Sequence, residues 1–248
     1  MKSFQRLFAL APLVLLAPQV FGTPTGLNNI PTADTPPQGV FVLQAFTTLG
    51  ENRDADLNLG FKTGLDLKVV KMEFGFSSHL YPDKGGPWTP HAKIAVPFGE
   101  GLPTVAVGIA NLSFRDEDRR RAGDEFAYAV VSQDFGFLRV HGGCGLQDGE
   151  ALPFLGLDKT FRIASSEPVS DGKATKGREH KATASETKMR DLFTLRADAI
   201  EQRDQSWLYS AGVLVPVCKW FVFEAWANLP DNGDDASVTL KANFVINF

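Results

Sequence analysis

The sequence is poor in the residues on which metal sites and most enzymes depend. It has only 4 His and 2 Cys in 248 residues, and no Cys/His spacing resembles a zinc site. We therefore expect no metal and no other cofactor. Beyond the first 22 residues there is also no run of about 20 apolar residues, which excludes a polytopic helical membrane protein.

The amino terminus has the pattern of a secretory signal peptide. Lys2 and Arg6 form a positive region, Leu7 to Ala17 is apolar, and small or tolerated residues lead up to Gly22. An apolar stretch of about 11 residues is too short to span a hydrocarbon layer of roughly 30 Å as a helix. We predict that residues 1–22 are cleaved off, and no Cys near the cut supports a lipoprotein anchor.

Basic residues are in the minority once this peptide is removed. Without Lys2 and Arg6, 23 basic residues remain against 29 acidic ones, a net charge of -6. A nucleic-acid partner needs a positive surface to neutralise phosphates, so we expect none.

From Val40 onward the chain consists of about twelve segments in which apolar and polar residues alternate. In one of them Leu57, Leu59 and Phe61 alternate with Asn58, Gly60 and Lys62, and clusters of Gly, Pro, Asp and Asn separate the segments. Each is about ten residues long, the length that a tilted strand needs to cross a membrane. The prediction is an all-β fold, an antiparallel up-and-down transmembrane β-barrel of about 12 strands.

Three regions follow the signal peptide in this interpretation. Residues 23–39 form a periplasmic lead-in, because two Pro and a Gly before the first strand oppose a helix. Residues 40–248 form the barrel, with a polar insertion at 164–190 that an even strand number places on the periplasmic side. The same parity puts Cys144 at the outer rim and Cys218 in a periplasmic turn, too far apart for a disulfide.

The polar positions of the alternating segments should face the barrel lumen. Charges of both signs occur there, so they either pair and plug the barrel or line a polar channel. The lumen-lining candidates are Asp54, Asp56, Lys62, Lys71, Glu73, His91, Lys93, Arg139, His141, Arg196, Asp198, Glu224 and Lys241.

A catalytic site would need a Ser close to a His, and the sequence offers one weak candidate. His79 follows Ser77 and Ser78, an arrangement that could serve acyl transfer. Ser78 and His79 point to opposite faces of a strand, however, while Ser77 and His79 are about 7 Å apart on the same face. We expect no catalytic residue.

The last segment alternates without a fault up to the carboxy terminus. Its apolar positions are Val238, Leu240, Ala242, Phe244, Ile246 and Phe248. This pattern resembles the carboxy-terminal recognition signal of bacterial outer-membrane proteins, which ends in Phe. The resemblance implies a Gram-negative outer membrane and delivery to the barrel-assembly machinery. Physically, the last strand would close the ring by pairing with the first, leaving no edge in lipid.

A second resemblance covers about fifteen residues before the first strand. Gly26 to Ala33, followed by Pro36, Pro37 and Gly39, is similar to the amino-terminal motif of YjbH-like barrels associated with exopolysaccharide secretion. This resemblance implies a role in polysaccharide export.

These patterns favour a non-enzymatic outer-membrane barrel in porin-like passive transport or with an envelope-structural role. Outer-membrane lipids and lipopolysaccharide would then be its partners, while the sequence does not indicate an oligomeric state. One alternative is a component of exopolysaccharide secretion. Another is an outer-membrane lipid hydrolase or acyltransferase, which would need His79 and a nearby Ser. A soluble periplasmic β-protein is the remaining reading.

Overall fold

The chain folds into twelve β-strands. A computed structural model describes residues 24–51, 55–81, 86–114, 124–164 and 189–248. The strands are β1 (Val40–Gly50), β2 (Leu57–Asp66), β3 (Lys71–Tyr81), β4 (Trp88–Pro97), β5 (Thr104–Ala110), β6 (Phe126–Asp134), β7 (Arg139–Gln147), β8 (Glu150–Ala164), β9 (Met189–Glu201), β10 (Trp207–Cys218), β11 (Phe221–Pro230) and β12 (Ser237–Asn247). No helix in these ranges is long and apolar enough to cross a membrane.

The strands form one closed antiparallel ring in which each strand pairs with its neighbours in the chain. β12 closes the ring by pairing with β1, from Val40 opposite Asn247 to Gly50 opposite Ser237. One further bond extends this ladder, since the Phe248 N–H donates to the Gly39 carbonyl over 3.1 Å. The predicted up-and-down barrel of about 12 strands is confirmed.

The outward and inward faces of the barrel differ in polarity, as the alternation predicted. In β1, Leu43 and Leu49 point outward and are 42% and 43% exposed, whereas Gln44 and Thr48 point inward and are 3% and 8% exposed. In β12, Val238 and Phe244 are exposed while Lys241 is buried. An apolar belt around a polar interior is the arrangement of a barrel that spans a membrane.

Residues 24–39, expected as a lead-in, fold into the interior of the ring before β1 begins. The Leu27 N–H donates to the Ile30 carbonyl (3.0 Å), and the Thr32 N–H donates to the Thr25 carbonyl (3.1 Å), which makes a small hairpin with Asn28 and Asn29 at its tip. We call residues 24–39 the plug.

The plug gives the barrel an apolar core on the inside. Leu27, Ile30 and Ala33 are 5%, 2% and 3% exposed and pack against inward apolar side chains of the strands. Burying a Leu or Ile side chain contributes about 1.5–3 kcal/mol, so these contacts hold the hairpin tightly. Their partners on the wall are Ala95, Ala106, Ala110, Phe126, Tyr128, Val130, Leu152, Phe154 and Ile200.

Several predictions fall on parts of the chain outside the described residues. These are the signal peptide at 1–22, Asp54, and residues 165–188 of the polar insertion. β8 and β9 run directly into that insertion on either side. Cys144 lies on β7 and Cys218 ends β10, and both are free thiols.

Candidate functional site: a plugged lumen and a vestibule

Most of the residues predicted to line the lumen are inward and buried. Lys71 is on the inward face at the end of β3 but is exposed, and Arg139 and Arg196 are partly exposed. The buried members of the set are Asp56, Lys62, Glu73, His91, Lys93, His141, Asp198, Glu224 and Lys241.

A buried ion pair holds the base of the plug hairpin. Lys93 Nζ lies 3.5 Å from Glu73 Oε2, and both side chains are 0% exposed. Glu73 Oε1 accepts a hydrogen bond from the Thr25 N–H (2.8 Å), while Lys93 Nζ donates to the carbonyls of Thr25 (2.8 Å) and Thr32 (3.0 Å). His91 Nε2 lies 3.6 Å from Glu73. Two buried charges thus find partners in each other and in the plug backbone, as buried charges must.

The tip of the hairpin is held by Asp198 on β9. Its carboxylate accepts hydrogen bonds from the N–H groups of Asn28 (2.8 Å) and Asn29 (3.2 Å) and from the Ser210 hydroxyl (2.6 Å). The side chains of the two asparagines continue the network, since Asn28 donates to Ser210 (2.9 Å) and Asn29 donates to Asn228 (2.8 Å). Strands β9, β10 and β11 therefore all bind the tip.

A third set of contacts holds the chain after the hairpin. Arg139 Nη2 donates to both carboxylate oxygens of Asp34 (2.8 and 2.7 Å) and Arg139 Nη1 lies 3.7 Å from Asp158. The Ala33 N–H donates to the Ser132 hydroxyl over 2.9 Å. The plug is thus attached to β6 and β7 as well as to β3, β4 and β9–β11.

The wall behind Asp34 contains a Ser–His–Asp chain of hydrogen bonds. Ser132 Oγ lies 2.7 Å from His141 Nδ1, and His141 Nε2 lies 3.0 Å from Asp158 Oδ2. His141 is completely buried, and the Ser132 oxygen already accepts the Ala33 N–H. In this arrangement the three side chains satisfy one another and hold the plug.

One further ion pair among the candidates joins β9 and β11 on the barrel wall. Arg196 Nη1 donates to Glu224 Oε2 over 2.7 Å. Asn243 Nδ2 donates to Glu224 Oε1 (2.7 Å), and Gln44 Nε2 donates to Asn243 Oδ1 (2.9 Å). Arg196 and Glu224, both predicted to face the lumen, therefore neutralise each other on the barrel wall.

A cavity of about 560 Å³ lies above the plug, at the end of the barrel away from Phe248. We call it the vestibule. Leu27, Asn28, Asn29 and Ile30 of the plug form its floor, and residues of the connections 202–206 and 231–236 line its mouth. Its wall is built by side chains of β1 and β5–β12, among them Phe46, Phe126, Leu152, Ile200, Leu208 and Trp226.

The weak catalytic candidate at His79 has a different role in the structure. His79 Nδ1 lies 2.8 Å from Asn58 Oδ1, and the Ser78 hydroxyl donates to the Gly86 carbonyl over 2.8 Å. Within the described ranges, no group of three or more His, Cys, Asp or Glu side chains is placed to hold a metal ion.

The sequence placed Glu73, Lys93, Arg139 and Asp198 on the inward face, but it did not single out the other residues that hold the plug. Asn28, Asn29, Asp34, Ser132 and Ser210 are of types common in loops and on polar strand faces, and each acts through one or two bonds to a distant residue. The sequence does contain one signal: residues 105–110 are apolar on both faces and the alternation is irregular in residues 152–163, and in the structure apolar side chains point inward in both segments.

Comparison with solved structures agrees with the fold. The "KdgM porin" matches with 6% sequence identity and a TM-score of 0.52, covering 82% of this chain and 98% of that chain. The "KdgM porin in complex with disordered oligogalacturonate" matches with 6% identity and a TM-score of 0.51 over 83% and 98%. No protein-family model matches the sequence, and neither does any curated protein. The chain has the porin-like fold of bacterial outer-membrane β-barrels, and its apolar belt fits that membrane.

Proposed function

We propose that the protein is a non-enzymatic, porin-like barrel of the outer membrane in which the plug closes the passage at rest. The observation that carries this proposal is the position of residues 24–39, which cross the lumen and bind inward side chains of β3, β4, β6, β7 and β9–β11. A barrel with a purely structural role would not need so many specific polar contacts between its wall and one short segment.

The wall is built to remain ordered when the plug leaves. Asp198 would keep its bond to Ser210, and Glu73 would keep its ion pair with Lys93, because neither contact involves the plug. Water entering the lumen would replace the lost backbone donors, so the buried charges would be hydrated instead of stranded. The open state is then a narrow channel lined by charges of both signs, which suits small polar solutes.

Conductance across a planar bilayer tests the gate. The wild-type barrel should carry little steady current, and a variant lacking residues 24–36 should carry a large one. A disulfide between Cys substituted for Ala33 and Ser132, in a chain with Cys144→Ser and Cys218→Ser, should keep the channel closed until a reductant is added. A deletion variant that folds and migrates heat-modifiably on a gel, yet passes no current, would refute the gate.

Assembly and location have their own test. The carboxy-terminal pattern supports recognition by the barrel-assembly machinery, and the apolar outward face supports contact with outer-membrane lipids and lipopolysaccharide. The protein should fractionate with outer membranes and migrate heat-modifiably, whereas recovery without detergent would exclude a membrane barrel.

Polysaccharide export stays a second proposal, supported by the YjbH-like resemblance at Gly26 to Ala33. Those residues form the plug hairpin, so the resemblance falls on the part of the chain that closes the lumen. An export role predicts that loss of the gene lowers the amount of secreted polymer. Unchanged secretion would remove this proposal and leave the gated channel untouched.

The chain of Ser132, His141 and Asp158 is the one observation that favours a hydrolase. Its geometry links a hydroxyl to a carboxylate through a histidine, as in acyl-transfer enzymes, but the plug covers it. Release of p-nitrophenol from a short-chain ester by the variant lacking residues 24–36, abolished by Ser132→Ala, would establish hydrolysis. We expect no release above that of the Ser132→Ala control.

A further inference from the structure

We propose that the vestibule is a binding site for a small amphipathic molecule that carries no negative charge and has an apolar body and an oxygen that accepts a hydrogen bond. The inference goes beyond the proposed function, because the site lies above the closed plug and its ligand need not pass through the barrel. It depends on the plug as the floor of the site but not on any movement of the plug.

The size and lining of the vestibule determine which kind of molecule can bind in it. A volume of about 560 Å³ lies within the range of roughly 300–1,000 Å³ found for small-molecule sites. Its deeper part is apolar, with Leu27 and Ile30 in the floor and Phe126, Leu152 and Ile200 in the wall. Such a surface binds aliphatic or aromatic groups by removing them from water.

Trp226 adds a hydrogen-bond donor to this apolar wall. Its side chain lines the vestibule and is 7% exposed, while the indole Nε1 is buried and has no hydrogen-bond partner among the described residues. A buried donor without a partner is unfavourable. A ligand oxygen that reaches the edge of the indole ring would accept this N–H and satisfy the donor.

The charges around the vestibule oppose an anionic ligand. Arg203 at the mouth is neutralised by Asp124 (2.9 Å), Asp148 (2.7 Å) and Glu150 (3.7 Å). Three further lining residues, Asp204, Asp234 and Asp235, are acidic, whereas the remaining lining cation, Lys241, lies 5.9 Å from the centre of the Phe46 ring. A carboxylate or phosphate entering the mouth would meet carboxylates first.

Three probes with the same phenylpropyl body test these requirements on the intact barrel in lipid nanodiscs. They are 3-phenylpropanol, propylbenzene, which lacks the oxygen, and 3-phenylpropanoate, which carries a charge. The indole N–H resonance of Trp226, assigned through Trp226→Phe, reports contact directly. The indole signal of Trp220, which is 60% exposed on the outer surface, reports mere partition into lipid.

The expected result is a saturable shift of the Trp226 signal by the alcohol with no saturable shift at Trp220. The carboxylate should bind at least about tenfold more weakly, because of its repulsion and its desolvation. Trp226→Phe keeps the ring and loses the donor, so the alcohol should bind about five- to tenfold more weakly while propylbenzene binds as before. Probe binding to the Phe variant is read from saturation-transfer NMR.

A filled cavity provides the second variant. Leu208→Trp projects a larger ring into the vestibule and should abolish binding of the alcohol and of propylbenzene together, while the barrel keeps its heat-modifiable migration. The proposal is overturned if the alcohol shifts Trp220 and Trp226 alike, or if Trp226→Phe leaves the alcohol affinity unchanged. Neither result bears on conductance through the variant lacking residues 24–36.

Discussion

Asp198 joins the tip of the plug hairpin to the barrel wall. Two plug N–H groups and the Ser210 hydroxyl donate to its carboxylate. Hydrogen bonds to a charged group contribute about 1.5–3 kcal/mol each. Asp198→Ala should therefore lower the exchange protection of the Asn28 and Asn29 amides by at least about tenfold, measured by hydrogen–deuterium exchange.

The control for this substitution is Asp191→Ala on the same strand. Asp191 pairs with Arg162 at 2.9 Å, but both side chains are more than half exposed. An exposed ion pair contributes about 0–1 kcal/mol, and this one does not contact the plug. Unchanged protection of Asn28 and Asn29 in Asp198→Ala would show that the apolar contacts hold the tip without help.

Asp204 gives the mouth of the vestibule a pH dependence. Ser206 donates to its carboxylate through the hydroxyl and the backbone N–H, and Asn232 donates through its amide, so these bonds lower the pKa of Asp204 to about 2. The ordinary value is about 3.9. Because the folded pKa is the lower one, the stabilisation is complete above the ordinary value and is lost as the pH falls through about 2.

We expect the hydrogen bonds of Asp204 in the connection 202–206 to weaken only at acidic pH. Chemical shifts of the Ser206 amide should be constant from neutral pH down to about 4 and then move with the Asp204 carboxyl. Asp204→Ala should remove this titration and leave the strand amides of β10 unaffected. A Ser206 amide that titrates in the same way in Asp204→Ala would assign the change to another group.

Strand β8 approaches the plug so closely at Gly156 that no larger residue fits there. An added Cβ at Gly156 would lie 2.5 Å from Leu27 Cδ1 and 2.6 Å from Ile30 Cδ1. Gly156→Ala should therefore push the hairpin away, and overpacking of this kind destabilises by about 1–3 kcal/mol. Exchange of the amides of Leu27 and Ile30 should become faster, and open events in bilayer recordings more frequent.

The matched control is Gly142→Ala on the adjacent strand β7. Its added Cβ would meet only Leu155 Cδ1, at 3.7 Å, which is an ordinary contact. Gly142→Ala should leave both the exchange rates and the recordings as in the wild type. Equal effects of the two substitutions would mean that general strand stability, and not the plug contact, controls opening.

The strands could be predicted from the sequence because a period of two is a direct consequence of strand geometry. Each alternating segment assigns its own residues to the outside or the inside, so Lys62, Glu73 and Asp198 were placed inward without any knowledge of their partners. Ring closure followed from the final segment, since a membrane leaves no place for a free strand edge.

The plug could not be predicted in the same way. Its bonds join residues that are far apart in the chain, such as Asn28 with Asp198, and no local pattern encodes such a pair. The alternation failed where the plug packs: Ala106 and Ala110 in β5, and Leu152 and Phe154 in β8, are apolar and point inward. Inward apolar side chains are favourable only when an apolar segment such as the plug packs against them.

In the closed ring, the backbone and the side chain of the last residue, Phe248, make different contributions. The Phe248 backbone bonds to Gly39, but its side chain is 85% exposed and packs against little of the barrel. A side chain so exposed contributes little to packing between the strands. We therefore propose that Phe248 acts in recognition before folding and not in stabilisation afterwards.

Phe248→Ser should therefore lower the amount of barrel in the outer membrane several-fold, while the assembled fraction keeps the wild-type temperature of heat-modifiable unfolding. Phe137→Ser is the matched control, because Phe137 is 69% exposed in the β6–β7 turn at the same end of the barrel. It removes a similar apolar surface and should not reduce assembly. If Phe248→Ser instead lowered the unfolding temperature without changing the amount assembled, the side chain would act on the finished ring and not as an assembly signal.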